Sequence, residues 1–163
     1  MDFYLVRHGE ALLETSDPRR PLSAVGEKQV AQMSRAALAR KVRVSTIYHS
    51  GILRAQQTAE IFARSLLPPT GVQPMTGLLP QDDPTVARAE LENAHEPVML
   101  VGHLPHMSRL AALLINGDTD REAVEFSPAT LACMAHEKAT WQVAWVLSPD
   151  FLSGAVDRQK GMF

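Results

Sequence analysis

Two arginines and two histidines of this 163-residue sequence have the side chains needed to bind and transfer a phosphoryl group. Arg7 and His8 are adjacent near the N-terminus, Arg54 lies a third of the way along, and His103 follows the middle of the chain. Guanidinium groups bind phosphoryl oxygens through paired hydrogen bonds, and their charge offsets that of the anion. A neutral imidazole is a nucleophile near neutral pH without a large change in its pKa. If the four side chains meet, one histidine would carry a phosphoryl group and the other would stabilise its charge.

Each of these side chains follows a segment that the sequence predicts to be a strand. The segments are short apolar runs between polar residues or glycine, a pattern typical of strands buried on both faces. Ligands of open α/β sheets bind outside the carboxyl ends of such strands. We therefore expect the three strand ends to bring the two arginines and two histidines to one edge of a sheet. The predicted strands are residues 3–6, 44–48 and 98–101.

Apolar residues at helical spacing follow each of these strands. The second helix is expected to end before Pro68 and Pro69, which cannot continue it. A further strand at residues 73–75 and a helix at residues 84–93 are predicted between the second and third strands. The apolar positions of the three helices are Val30, Met33, Ala37 and Leu38, then Ala55, Ala59, Phe62 and Leu66, and finally Leu110, Leu113 and Leu114.

The last third of the sequence predicts a β-hairpin. Residues 131–135 lead through a turn into a segment in which apolar and other residues alternate, which indicates a strand with one buried face. Strands that alternate with helices predict a three-layer α/β fold, with a mostly parallel central sheet flanked by helices and an antiparallel edge from the hairpin. We expect residues 1–163 to form one domain, whose tail after Pro149, including Arg158 and Lys160, packs as a short helix or frays. The alternating positions are Trp141, Val143, Trp145 and Leu147, and both tryptophans are interpreted as core residues.

Composition and charge exclude several classes of protein. Hydrophobic residues make up 45% and charged residues 21% of the chain, as in ordinary globular proteins. A net charge of -2, with dispersed basic residues, excludes a broad nucleic-acid surface and a polybasic membrane anchor. The single cysteine, Cys133, excludes an intramolecular disulfide and is interpreted as a core residue. The N-terminal segment lacks the basic region of a signal peptide, and we expect a cytoplasmic location.

The motifs resemble those of the histidine phosphatase superfamily, which includes the cofactor-dependent phosphoglycerate mutases. Residues 7–10 resemble its N-terminal signature, residues 54–59 after Ser50 its second arginine segment, and Gly102 with His103 its second histidine segment. The resemblance implies a phosphoglycerate mutase-like fold and a metal-independent phosphatase without a cofactor.

The resemblance also implies a role for each residue of the cluster. His8 matches the histidine that becomes phosphorylated, and water then hydrolyses the phosphohistidine. Arg7, Arg54 and a protonated His103 would stabilise the phosphoryl oxygens in both steps. Arg20 is a candidate substrate-binding residue at the rim of the site.

Within the superfamily the sequence is similar to the SixA-type phosphohistidine phosphatases. The similarity lies in the short chain, in residues 20–26, and in Leu104 and Pro105 after the second histidine. Larger members place a glutamate general acid between the second arginine and the second histidine, where this sequence offers only Asp82 and Asp83 in a predicted loop. A phosphorylated imidazole departs easily once its ring is protonated, so the missing acid fits a phosphoramidate substrate.

Three functions remain open from the sequence. The first is a protein phosphohistidine phosphatase that acts on a phosphotransfer or phosphorelay domain. The second is a phosphatase for a small phosphorylated metabolite, and the third is a noncatalytic phosphate-binding module on the same scaffold. An intact His8 argues against the third. Mutase activity is disfavoured because the short chain leaves little room for the inserted segments that would hold an intermediate.

The other histidines and the nearest glutamate receive structural interpretations. His106 is predicted to face outward or to cap the helix that follows Pro105, and no pair of histidines has a spacing typical of metal ligands. Glu10 is expected to orient its loop or to place a charge at the rim of the site. The histidines interpreted as structural or surface residues are His49, His95 and His136.

Overall fold

A six-stranded sheet forms the centre of the protein in a computed structural model, which describes residues 1–152. The strand order is β3-β2-β4-β1-β5-β6, in which the first four strands are parallel and the last two add antiparallel pairs. The strands are β1 (Asp2–Arg7), β2 (Thr46–His49), β3 (Val72–Pro74), β4 (Val98–Gly102), β5 (Leu131–Glu137) and β6 (Thr140–Leu147). The helices are α1 (Ala24–Ala39), α2 (Leu53–Leu66), α3 (Pro84–Asn93), α4 (His106–Asn116) and α5 (Pro149–Leu152).

The predicted architecture is confirmed, because helices cover both faces of this mixed sheet. Helices α1 and α2 pack against each other and cover one hydrophobic core, and helices α3 and α4 do the same for the other. The described part of the tail begins as the short helix α5, while Arg158 and Lys160 lie outside the described residues. Among residues 1–152 no helix is both long and apolar enough to cross a membrane.

Local sequence explains how the helices begin and end. The Ser23 hydroxyl accepts a hydrogen bond from the N–H of Gly26 and caps α1, as the Asp83 carboxylate caps α3 through Thr85. Helix α2 ends at Leu67 in a left-handed conformation, immediately before the two prolines that stop it.

Two sequence predictions about burial are wrong in part. Leu38 shares the helical spacing of the buried residues of α1, yet its side chain is 53% exposed near the end of the helix. The alternating residues of β6 do not share one face, because β6 carries one extra residue, Ala144, in a β-bulge. Beyond the bulge the alternation reverses.

The two tryptophans therefore lie in different layers. Trp141 packs against Phe3 at 5.6 Å between ring centroids, in the core under α3 and α4. Trp145 lies 6.1 Å from Tyr4, in the core under α1 and α2, where it is only partly buried. Cys133 is fully buried as predicted.

Candidate active site

The two histidines of the predicted cluster meet at the carboxyl ends of β1 and β4. These strands are parallel neighbours in which Arg7 pairs with Gly102, so the residues that follow, His8 and His103, leave the sheet side by side. Their ring centroids are 5.0 Å apart and their planes meet at 56°. The sheet register thus places both imidazoles at one edge, as the sequence predicted.

The His8 ring presents one nitrogen to Arg54. Nδ1 lies 2.7 Å from the carbonyl oxygen of Gly9. A carbonyl only accepts hydrogen bonds, so this contact assigns the proton of the neutral ring to Nδ1 and a lone pair to Nε2. The Arg54 Nε lies 3.4 Å from that Nε2 and donates to it. The arrangement points the unprotonated Nε2 at a guanidinium.

Thr58 of α2 fixes the backbone around these two side chains. Its hydroxyl accepts a hydrogen bond from the N–H of Gly9 at 3.0 Å and donates to the carbonyl of Arg54 at 2.8 Å. The N–H of His8 donates to the carbonyl of Gly102 at 2.9 Å. One threonine therefore connects the loop of the nucleophile to the first turn of α2, where Arg54 stands.

Two glycines allow α1 to pack directly on that loop. A Cβ at Gly9 would lie 2.6 Å from the Val30 Cγ2 atom, and a Cβ at Gly26 would overlap the carbonyl oxygen of Glu10. The N–H of Ser23 also donates to this carbonyl at 2.9 Å. Any larger side chain at either glycine would push the helix and the loop apart.

The Arg7 guanidinium is anchored by a segment from the C-terminal half of the chain. Its Nη1 donates to the Phe126 carbonyl at 2.8 Å, and its backbone N–H donates to the Thr130 carbonyl at 3.1 Å. The Nε atom is buried without a hydrogen-bond partner, and burial lowers the pKa of the group. The sequence motifs gave no indication of this anchoring segment.

Ser50 determines the state of the His103 ring. The Ser50 hydroxyl accepts from the Ile52 N–H at 3.2 Å and lies 2.6 Å from His103 Nε2. This hydrogen bond holds the ring through Nε2, while Nδ1 is buried without a partner. Ser50 was noted in the sequence only as part of a motif, and this contact was not predicted.

Both catalytic candidates are neutral near neutral pH in the free protein. Burial lowers the pKa of His8 to about 4, and the charges of Arg54 and Arg7 act in the same direction against the opposing effect of the Gly9 hydrogen bond. Burial, with neighbouring His8 and Arg54, lowers the pKa of His103 to about 3. The protonated His103 expected during the reaction therefore requires the negative charge of a bound anion, which would raise its pKa.

Arg20 also faces the cluster. It adopts a positive φ of 49°, and its Nε donates to the Leu12 carbonyl at 3.1 Å. Its charge contributes to the lowered pKa values of both site histidines and of Arg54, which places its guanidinium nearby. In the described part of the chain none of the three site arginines forms an ion pair with a carboxylate. The cluster therefore holds excess positive charge at one sheet edge.

The prediction for His106 is wrong. Its side chain is fully buried at the start of α4, where it neither faces outward nor caps the helix. Neither ring nitrogen meets a hydrogen-bond partner at good geometry, and burial lowers the pKa of the group. The neighbouring apolar positions of α4 explain this, because the first turn enters the core with Met107.

The remaining candidates have structural or surface positions. His49 is buried and its Nδ1 accepts from the Gly51 N–H at 3.0 Å, His95 is exposed, and His136 stacks on a core tryptophan at 4.3 Å. Glu10 is exposed beside the loop, outside the direct contacts of the cluster. No group of three or more histidine, cysteine, aspartate or glutamate side chains within residues 1–152 could hold a metal ion.

Comparison with known proteins assigns the chain to a family. The sequence profile of the histidine phosphatase superfamily (branch 1) matches residues 3–78, which include His8 and Arg54. An uncharacterised protein of Picosynechococcus is 32% identical over 126 residues, which cover 73% of this chain and 76% of that protein. The chain belongs to the histidine phosphatase superfamily, as its motifs predicted, and is therefore an enzyme of a phosphatase family.

Two further comparisons concern one type of phosphatase. Phosphohistidine phosphatase SixA of Escherichia coli K12 is 28% identical over 155 residues, 91% of this chain and 94% of that protein. A solved structure of the protein histidine phosphatase SixA complexed with tungstate superposes with a TM-score of 0.82 at 28% identity, over 93% of this chain and 99% of that chain. The predicted phosphoglycerate mutase-like fold is confirmed by this superposition.

Proposed function

We propose that the protein hydrolyses phosphohistidine in other proteins through a covalent phosphohistidine intermediate on His8. One observation carries this proposal: the 2.7 Å contact of Nδ1 with the Gly9 carbonyl places the lone pair of the ring on Nε2, which faces Arg54 through a long 3.4 Å hydrogen bond. The lowered pKa of His8 keeps that lone pair available at neutral pH. His8 is thus held in the reactive tautomer before the substrate binds.

The reaction needs two displacements at phosphorus. In the first, Nε2 of His8 attacks the phosphoryl group, and the electron pair of the breaking bond returns to the leaving atom. In the second, a water oxygen attacks phosphorus, the pair of the P–Nε2 bond returns to His8, and the water proton leaves with inorganic phosphate. Metal chemistry is not required, because fixed cations surround the site.

Arg7, Arg54 and Arg20 are proposed to bind the phosphoryl oxygens. Arg7 Nε is a buried donor without a protein partner, and a phosphoryl oxygen would satisfy it. The negative charge of the substrate would raise the pKa of His103 and allow it to take up a proton. His103 would then act as a cation only when the anion is present.

The choice of substrate follows from two features. The similarity to SixA extends over nearly the whole chain, and the SixA relative is a phosphohistidine phosphatase. Between Arg54 and His103 the chain offers two aspartates, one of which caps α3, so a substrate with a good leaving group is favoured. The proposed partner is a phosphotransfer or phosphorelay domain in the cytoplasm, with neither nucleic acid nor membrane involved.

Trapping of the intermediate tests the mechanism. Protein incubated with radiolabelled phosphohistidine protein should carry acid-labile, alkali-stable label when quenched, and His8→Ala should carry none and lose turnover. His95→Ala, which removes an exposed histidine, is the matched control and should behave as wild type. Full activity of the His8 variant would refute the covalent route through His8 and require another nucleophile.

A side-by-side measurement of kcat/KM decides between substrate classes. The wild-type enzyme is compared on a phosphohistidine protein and on a panel of small phosphorylated metabolites. We expect the protein to be preferred. A clear preference for one metabolite would instead establish the small-molecule phosphatase.

A further inference from the structure

A pocket opens beside the histidine cluster. It has a volume of about 370 Å³ and lies at the carboxyl ends of β2 and β3, where Ser50, Gly77 and Asp82 are among its lining residues. Ser50 also contacts His103 Nε2 at 2.6 Å, so one residue forms the wall between the pocket and the cluster. The two spaces are therefore neighbours.

The order of the strands in the sheet sets the distance between the pocket and the histidine cluster. Strands β3, β2 and β4 are consecutive and parallel, so their carboxyl ends share the edge that holds the cluster. Adjacent strands lie about 4.8 Å apart, so the residues after β2 and β3 stand about one and two such steps from the end of β4. The pocket therefore lies on the β2 side of His103, at the same edge of the sheet as the cluster.

The pocket combines apolar walls with one carboxylate. Met75 and Leu79 contribute apolar surface, and Gly77 contributes no side chain. The Asp82 Oδ2 atom is oriented by the Leu79 N–H at 2.9 Å, and Asp82 forms no ion pair within residues 1–152. Such walls fit a flat ring with one N–H donor.

The surroundings of Asp82 include the buried His106. His106 of α4 lies close enough to Asp82 for the charges of the two groups to interact. His106 also interacts with Asp83 and Arg109. Burial keeps His106 uncharged near neutral pH, and Arg109 acts on Asp83 as well. A cationic ring in the pocket would therefore find an anionic partner in Asp82.

We propose that this pocket receives the leaving imidazole of a phosphohistidine and that Asp82 accepts a hydrogen bond from its distal ring N–H. The inference rests on the proposed function. It makes Asp82 a specificity-determining residue. The sequence motifs did not indicate this role, because they showed only that the general acid of larger members is missing.

The step balances without an added acid. The substrate ring enters as an imidazolium, with phosphorus on one nitrogen and a proton on the other. His8 Nε2 attacks phosphorus, the P–N bond breaks, and its electron pair stays on the leaving ring, which departs as neutral imidazole with its distal proton in place. The Asp82 carboxylate favours the protonated ring and holds it in line, and it neither gains nor loses a proton.

Leaving-group selectivity tests the proposal. For Asp82→Asn we expect kcat/KM to fall about tenfold on phosphohistidine protein, because a charge-assisted hydrogen bond becomes a neutral one. On para-nitrophenyl phosphate, whose leaving group has no ring N–H, the same variant should stay within about twofold of wild type. Activity on that second substrate also shows that the variant is folded.

Asp83→Asn is the matched control. It removes the same charge one position along the chain, and asparagine still caps α3. It should leave both substrates unchanged. An equal loss on both substrates for Asp82→Asn, or no loss on phosphohistidine, would overturn the assignment of the pocket. A wild-type enzyme that does not turn over phosphohistidine at all would instead reject the proposed function, and this inference with it.

Discussion

The ends of β1 and β4 each supply one histidine, but they hold it differently. After β1, backbone hydrogen bonds tie His8 to Gly102 and Gly9 to Thr58, and the carbonyl of Gly9 fixes the ring. After β4, the ring of His103 has one contact, to Ser50, and its Nδ1 is buried without a partner. The protein satisfies both ring nitrogens of His8, and it leaves one ring nitrogen of His103 without a hydrogen bond.

This difference matches the proposed roles. A nucleophile must present one atom in one tautomer, so its surroundings can be complete before the substrate arrives. The other histidine is proposed to take up a proton when the negatively charged substrate binds. Its surroundings must therefore favour the neutral ring in the free enzyme. Variants of residues at the two strand ends therefore test this contrast.

Loss of the second histidine should slow both displacements without removing the intermediate. For His103→Ala we expect kcat to fall about 10²- to 10³-fold, as when one donor to a developing oxyanion is lost. Rapid-quench experiments should still detect labelled His8. If the variant carried no label on His8, His103 would be needed for the attack itself. The two strand ends would then not have separate roles.

Displacement of the loop that carries His8 should reduce the free energy of unfolding. Gly26→Ala forces the first turn of α1 away from the Glu10 carbonyl, and we expect the free energy of unfolding to fall by about 1–3 kcal/mol, with loss of activity. Val25→Ala, at an exposed position of the same turn, should change it by less than about 0.5 kcal/mol. Urea unfolding measures both. Equal stability of the two variants would refute the close packing of helix and loop.

Acid should destabilise the free enzyme through its buried neutral histidines. The folded pKa values of about 4 for His8 and about 3 for His103 lie below the unfolded value near 6.5, so the unfolded chain binds more protons between these limits. Stability is highest above pH 6.5 and falls as pH decreases, by about 1–2 kcal/mol per histidine at pH 5.

The measurement compares unfolding at pH 7 and pH 5. His103→Asn should show a smaller loss than wild type, while His49 and His106, whose pKa values are also lowered, retain their share. Added tungstate should reduce the loss in wild type, because the anion raises the pKa of His103. A loss that is the same in His103→Asn would show that this ring is not the titrating group.

Removal of the Ser50 hydroxyl should have the smallest effect on rate. Ser50→Ala frees His103 Nε2, so the ring can adopt either tautomer, and we expect kcat to fall about tenfold while KM changes little. The acid limb of the pH profile should also move, because the hydrogen bond to Ser50 differs in strength between the neutral and the protonated ring. Ser50→Thr keeps the hydroxyl and should restore most of the rate. An unmoved pH profile would contradict this role.

The sequence by itself determined the layered fold and the identity of the cluster. Apolar runs and helical spacing report on local periodicity, and the parallel strands then bring their carboxyl ends to one edge. That is why the sequence predicts that Arg7, His8, Arg54 and His103 lie together. The motifs also determined the superfamily.

Only the tertiary structure decided which atoms of those side chains face one another. The anchoring of Arg7 by Phe126, the contact of Ser50 with His103 and the burial of His106 join residues that no local pattern connects. The bulge at Ala144 similarly moves the alternating residues that follow it to the other face of β6, although the alternation in the sequence is regular. Periodicity records which face of an element is apolar, whereas tautomer, protonation and register depend on the particular neighbours that packing places there.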